Sequence, residues 1–316
     1  MDLTEPTLFG DEPILPSGPL SERFVIPPFS VLDARLTEWM RRKSAWLALG
    51  VHEDGGRDVS PMGTALDASD DVGEAINALP RASLFDPVLA EVVYRWFSRP
   101  GSLVWDPFCG GAVRGMVAAH LDRRYQGIDL RVKQVVANRW RLEASLLGTM
   151  ALEPTLHRVK PLPQWFVGDA AHKWYVGDDG KCDLVFTCPP YGPLERYSDD
   201  PRDLSTMDSN GFCDAYYAAI ENAMDSLRDD RFAVFVVGDF RESSGCYFTL
   251  PNVTAQYLGE WGELWNDLIL LTPMGTARMR AGRSFDVSRK VALVHQHVLV
   301  FVKGDPKKAV AYVKGE

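Results

Sequence analysis

Cysteine is scarce in this 316-residue sequence and carries no pattern. Cys109, Cys182, Cys188, Cys213 and Cys246 are odd in number and scattered, with no CxxC pair. Neither a zinc site nor a disulfide framework is suggested, and no metal is expected. Reduced thiols point to a cytoplasmic setting. Long apolar runs are missing too. No stretch approaches a membrane span, and the start (Met-Asp-Leu-Thr-Glu-Pro) lacks the basic opening and apolar core of a secretory signal. No membrane partner is therefore expected. Positive charge is in deficit, with 34 Lys and Arg against 43 Asp and Glu and a net charge of −9. That counts against wrapping nucleic acid by charge alone, but a local basic surface can still do so. Internal repeats are absent. Gly110, Gly111 and Gly115 do not make the GxGxxG spacing, which argues against a nicotinamide-dependent oxidoreductase.

What is present is a globular composition, 46% hydrophobic and 24% charged. Residues 1–80 read as an N-terminal arm and helical segment with a candidate nucleic-acid contact. The first part is rich in proline and acid, and Leu32, Leu36, Trp39 and Met40 then predict a helix over 30–43 with Arg35, Arg41, Arg42 and Lys43 around it. Residues 50–80 read as an acidic loop. Residues 81–316 read as one α/β domain. Asp86-Pro87 starts a helix. Strands follow at 102–106, 125–130, 164–170 and 183–186, alternating with helical patterns. This alternation predicts a doubly wound, mostly parallel sheet. The runs 267–272 and 296–304 read as a closing antiparallel edge, with a helix over 250–265 before them.

Chemistry collects at the ends of these strands. Asp106-Pro-Phe108-Cys-Gly110-Gly111 joins a strand to a helix, where glycines let a ligand approach an electropositive helix start. Asp129 follows the second strand and Asp169 the third; an acid there can hold ribose hydroxyls or cap the next helix. Asp183-Leu-Val-Phe-Thr-Cys188-Pro189-Pro190-Tyr191 ends the fourth. Its two prolines force a stiff, extended exit from the sheet, holding a polar edge beside an aromatic ring. Residues 192–205 suit a lid or substrate loop. Arg278, Arg280, Arg283, Arg289 and Lys290 gather around a single acid, Asp286, which suits phosphate contacts.

Taken together, these motifs resemble the S-adenosylmethionine-dependent DNA amino-methyltransferases, including those encoded by bacteriophages. Asp106-Pro-Phe-Cys-Gly-Gly is similar to their Asp-Pro-Phe-x-Gly-x-Gly cofactor motif. Cys188-Pro-Pro-Tyr191 is similar to their (Asp/Asn/Ser)-Pro-Pro-(Tyr/Phe) catalytic motif. Ser83-Leu-Phe85-Asp-Pro resembles the segment upstream, and 297–304 the closing strand. The resemblance spans about residues 83–304. It implies the Rossmann-like fold of class I methyltransferases, with 81–316 as the catalytic domain, and S-adenosylmethionine as cofactor. Phe85, Asp106, Phe108, Gly110 and Gly111 would hold its methionine side, Asp129 and Leu130 its ribose, and Asp169 and Ala170 its adenine. Double-stranded DNA is the implied partner, with RNA open; a base would be flipped out and gripped by Pro189, Pro190 and Tyr191.

Cys188 departs from the pattern, since a neutral thiol is a poor hydrogen-bond acceptor. Standing in for serine, it points to the N4 amine of cytosine, with N6 of adenine as a variant. Standing as a thiolate, it could attack C6 of a pyrimidine and open C5 to methylation, with Glu195 binding the ring. A DNA-binding protein with a degenerate methylase fold is the non-enzymatic alternative.

Overall fold

The computed structural model describes residues 19–51, 60–61, 85–152, 161–192, 195–242, 245–273 and 277–316. In chain order the elements are α1 (Pro19–Phe24), β1 (Val31–Asp33), α2 (Thr37–Ala48), β2 (Ser60–Pro61), α3 (Pro87–Phe97), β3 (Leu103–Asp106), α4 (Val113–His120), β4 (Arg124–Asp129) and α5 (Val132–Leu152). There follow β5 (Gln164–Val167), β6 (Cys182–Thr187), β7 (Glu195–Arg196), α6 (Ser209–Ser226), β8 (Leu227–Val237), β9 (Phe240–Arg241) and β10 (Tyr247–Phe248). The chain closes with α7 (Leu250–Leu258), β11 (Glu263–Leu271), α8 (Ala277–Ser288), β12 (His295–Lys303) and α9 (Pro306–Lys314). The expected 50–80 loop lies almost wholly outside the described residues.

Eight strands form one sheet in the order β1-β11-β12-β8-β6-β3-β4-β5. Neighbours are parallel except β12, which runs antiparallel to both β8 and β11. This is the doubly wound, mostly parallel α/β sheet that the alternation predicts, with the expected antiparallel pair towards one edge. Alternation along the strands splits the core in two. Val104, Leu184, Phe186 and Val234 pack under α3 and α4. Trp105, Val185, Phe235 and Leu299 pack under α6 and α7. Sheet faces covered on both sides explain why β3 reads as a continuous apolar run.

Two local expectations change, and two helices are added. Residues 31–33 are not the start of a helix but a strand, paired with Ile269–Leu271 of β11. The helix begins only at Thr37, after Asp33 has taken the backbone N–H and the guanidinium of Arg35. The exposed edge of β11 wins these residues, a tertiary demand that periodicity does not show. The helix at 250 stops at Leu258, and β11 starts at Glu263, because 259–262 turn back along the sheet. Most of the arginine-rich stretch lies on a helix, α8. A final helix, α9, starts on Asp305, whose carboxylate accepts from the Lys307 N–H at 2.8 Å; the same device opens α3 at Asp86.

Residues 37–48 join the main core through buried Trp39 and Trp46. There Glu91 of α3 is fully buried and takes bonds from Arg42, from Trp46 Nε1 at 2.9 Å and from Arg95 Nε at 3.1 Å. Burial alone would raise the Glu91 pKa, but the guanidiniums of Arg42 and Arg95 and the indole together bring it below 4.5. Its stabilisation is therefore complete above about 4.5 and disappears as pH falls through the lower folded value. Glu91→Gln is expected to lower stability near neutrality and flatten the acid limb of the stability curve. Urea melts from pH 2.5 to 7 would read this; an unchanged acid limb would refute it.

Candidate active site

A cavity of about 900 Å³ opens where β3 and β6 part company, at the carboxyl ends of the strands. Open α/β sheets bind ligands at this switch point. The volume is near the top of the roughly 300–1,000 Å³ usual for ligand sites. One side is lined by Phe85, Phe108, Gly110, Asp129 and Asp169, with Leu130 and Ala170 beside the acids. The other is lined by Cys188, Pro189, Pro190, Tyr191, Asp239 and His295.

Asp106, expected to hold the cofactor, does not reach the cavity. Its carboxylate is wholly buried. It accepts from Arg114 Nε at 2.6 Å, Tyr125 OH at 2.7 Å, Thr187 Oγ1 at 2.7 Å and the Phe108 N–H at 3.3 Å. Arg114 reaches on to the carbonyls of Phe108 and Cys109, at 2.8 and 3.0 Å, and lies 4.3 Å from the centre of the Phe85 ring. Burial opposes the Arg114 charge, but Asp106 beside it more than compensates, so the guanidinium pKa is raised. The acid thus shapes the turn on which Phe108 and Gly110 stand. Gly110 takes φ 49°, which a side chain would disfavour. Gly111 lies outside the lining.

Asp129 serves two roles at once. Its Oδ1 accepts from the Arg131 N–H at 2.8 Å, capping the entry to α5, while the side chain stays partly open to the cavity. A buried relay ties it to the glycine turn: Arg131 donates to Gln134 at 3.1 Å, Gln134 to Asn138 at 2.9 Å, and Asn138 to the Gly110 carbonyl at 2.7 Å. Sequence reading missed Arg114, Thr187, Gln134 and Asn138. The i, i+4 amides in α5 were a visible signal, but nothing in the sequence told which carbonyl they would meet. Asp169 accepts from the Ala171 N–H at 3.0 Å and remains on the cavity wall.

On the opposite side, the two prolines deliver Cys188 and Tyr191 as the stiff edge the sequence implies. Tyr191 OH lies 3.3 Å from both Cys188 Sγ and the Val236 carbonyl. Burial, reinforced by Cys188, pushes the Tyr191 pKa well up, so the hydroxyl stays protonated. Gly192 then turns left-handed at φ 53°, where a Cβ would meet the Phe240 ring at 2.5 Å. Of the five thiols only Cys188 lines the cavity. Cys109 is buried, and that burial raises its pKa well above the usual range, leaving it inert.

The remaining site residues divide. The 195–206 loop does border the cavity, through Tyr197, Arg202 and Leu204. It is stapled by Asp203, which accepts from Ser198 and Ser205 hydroxyls, each at 2.7 Å. Lys290 lines the cavity, and Arg289 places its guanidinium 5.1 Å from the Phe285 ring centre. Arg283 is exposed on α8. The side chains of Glu195, Arg278 and Arg280 lie outside the described residues.

The sequence matches no protein-family model and no curated protein. Among solved structures the chain is similar to TrmN from Thermus thermophilus, with 18% identity and a TM-score of 0.45. That match covers 69% of this chain and 49% of TrmN, so it spans about half of the TrmN length. A methyltransferase from Pyrococcus furiosus is 16% identical, with a TM-score of 0.43 over 72% of this chain and 87% of that one. A SAM-dependent methyltransferase from Methanosarcina mazei is 12% identical, with a TM-score of 0.44 over 67% and 97%. All three likenesses are distant, and function has to be read from the site itself. Among the described residues, no helix is long and apolar enough to cross a membrane.

Proposed function

We propose that the protein methylates a base in double-stranded DNA, using S-adenosylmethionine and taking the N4 amine of cytosine as acceptor. The observation that carries this reading is the single cavity joining Gly110, Asp129 and Asp169 to Cys188-Pro-Pro-Tyr191 across adjacent strand ends. The lining fits the cofactor: apolar walls from Phe85, Phe108, Leu130 and Ala170, with two carboxylates placed for hydroxyl and amino donors. Bound S-adenosylmethionine supplies an electrophilic methyl group. Asp129 would accept from its ribose hydroxyls and Asp169 from its adenine amine, while the Asp106–Arg114 pair holds the turn beneath them.

Opposite, the Pro189-Pro190 edge and the Tyr191 ring would receive a flipped base, and backbone carbonyls there would orient its amine. Orientation of this kind accounts for most of such a reaction and needs no strong base. The amine nitrogen bonds to the methyl carbon, the sulfur–methyl bond breaks, and one amine proton leaves to water. For the duplex, α8 borders the cavity through Ala281 and Ser284 and carries Arg283, while Lys290 and Arg241 line the wall beside it. These cations suit phosphates flanking an extruded base.

The test is incubation of the protein with isotope-labelled S-adenosylmethionine and duplex DNA or RNA, followed by digestion and mass spectrometry of the nucleosides. Label in N4-methylcytosine from DNA is expected. Label on C5, on adenine or only in RNA would replace the acceptor assignment. Asp129→Ala should weaken cofactor binding about 10- to 100-fold, or roughly 1.4–2.7 kcal/mol, by calorimetry; an unchanged affinity would remove Asp129 from the site.

A further inference from the structure

Asp239, His295 and His297 stand together on the acceptor side of the cavity, with ligand atoms all within 4.8 Å of one another. Asp239 follows the carboxyl end of β8, and the two histidines open β12, which runs antiparallel beside it. His297 pairs with Val237, so the register carries Asp239 towards His295. A spacing of two residues puts both imidazoles on one face of β12, with ring centres 5.6 Å apart. All three are half-buried, and Asp239 and His295 line the cavity.

We propose that these residues form a binding site for a divalent transition-metal ion of the Zn²⁺ type, with one coordination position open to the cavity. The donor set is right for that class: two imidazoles and a carboxylate with a free position are a recurring open zinc arrangement. The surrounding bonds also prepare the ligands. His297 Nδ1 is 2.9 Å from Asp267 Oδ1, which holds the ring and leaves Nε2 to ligate. Tyr247 OH donates to Asp239 Oδ2 at 3.0 Å, which leaves Oδ1 to ligate. Metal–ligand distances of about 2.0–2.1 Å need ligand atoms roughly 3.3 Å apart. The ligand atoms therefore have to close from within 4.8 Å to that spacing on binding. Asp239 and His295 border the same cavity as Cys188 and Tyr191, where an acceptor oxygen or ring nitrogen would complete the shell. No spacing motif flags this site, because its carboxylate and its imidazoles come from neighbouring strands that lie far apart in sequence.

Calorimetric titration of the metal-stripped full chain with Zn²⁺ tests the site, with Co²⁺ absorption reporting the ligand type. One equivalent of Zn²⁺ is expected, and Co²⁺ should show tetrahedral nitrogen–oxygen bands without thiolate charge transfer. Asp239→Asn and His295→Ala should each weaken Zn²⁺ at least tenfold, Asp267→Ala should weaken it more modestly, and Cys188→Ser should leave it unchanged. Absence of stoichiometric uptake by the unaltered protein overturns the proposal. So does uptake that survives both His295→Ala and Asp239→Asn, or a Co²⁺ spectrum dominated by thiolate. Because uptake is read without substrate, it stands or falls independently of the methylated base.

Discussion

Asp106→Ala is expected to destabilise the protein by about 3–5 kcal/mol, a large share of the roughly 5–15 kcal/mol that holds a domain folded. Arg114 would be left with 4% exposure and no counter-charge. The hydroxyls of Tyr125 and Thr187 would lose a partner in the same place. All three groups are buried, so the loss of their partner leaves much of their desolvation uncompensated. Urea denaturation measures the loss. A second variant separates the charge from the cavity: adding Arg114→Met to Asp106→Ala should recover part of the stability, since the two residues act as a pair. Simple additivity of the two losses would show that Arg114 is not stranded by the first change. Cofactor binding should fall with Asp106→Ala even at temperatures where the protein remains folded, because the Phe108–Gly110 turn loses its support.

Cys188→Ser decides between two chemistries that share one cavity. In amine methylation the residue is a substitute for serine, so activity should stay within about tenfold. In the C5 alternative, Cys188 Sγ bonds to C6 of the pyrimidine, the methyl group joins C5, and loss of the C5 proton then expels the sulfur. Removing a covalent nucleophile typically lowers kcat by more than about a thousandfold. The observation that keeps the second chemistry in view is Tyr191 OH, 3.3 Å from the sulfur of the one thiol on the wall. That hydroxyl stays protonated and donates to the Val236 carbonyl at 3.3 Å, so it reaches a thiolate only by turning from that carbonyl. The proposal of N4 methylation predicts survival of activity and no adduct with 5-fluorocytosine DNA. A stable adduct with the unaltered protein, lost in Cys188→Ser, would transfer the assignment to C5.

Much of this was legible without coordinates, because local rules suffice for it. Alternating apolar runs and helical spacing are read within a dozen residues, and they predict that β3, β4, β5 and β6 run parallel, though not their order in the sheet. Pro189-Pro190 and the glycine turn declare themselves through backbone restriction alone. Hence the two halves of the cavity were visible as motifs. The failures share one cause. Leu32 sits in a helical pattern yet lies in a strand, because the free edge of β11 offered hydrogen bonds that a periodicity argument never sees. Asp106 reads as a ligand contact, and only burial among Arg114, Tyr125 and Thr187 shows it holding the turn instead.

The sequence by itself determined the class of fold, the strand ends that border the cavity, and the backbone restriction of the Cys188–Tyr191 edge. Those follow from side-chain periodicity and backbone stereochemistry, which act over short distances along the chain. Only the tertiary structure decided which carboxylates face the cavity and which are sealed behind it. It alone brought Asp239 of one strand end to His295 and His297 of another. Register between strands sets such meetings, and register depends on how the whole sheet packs.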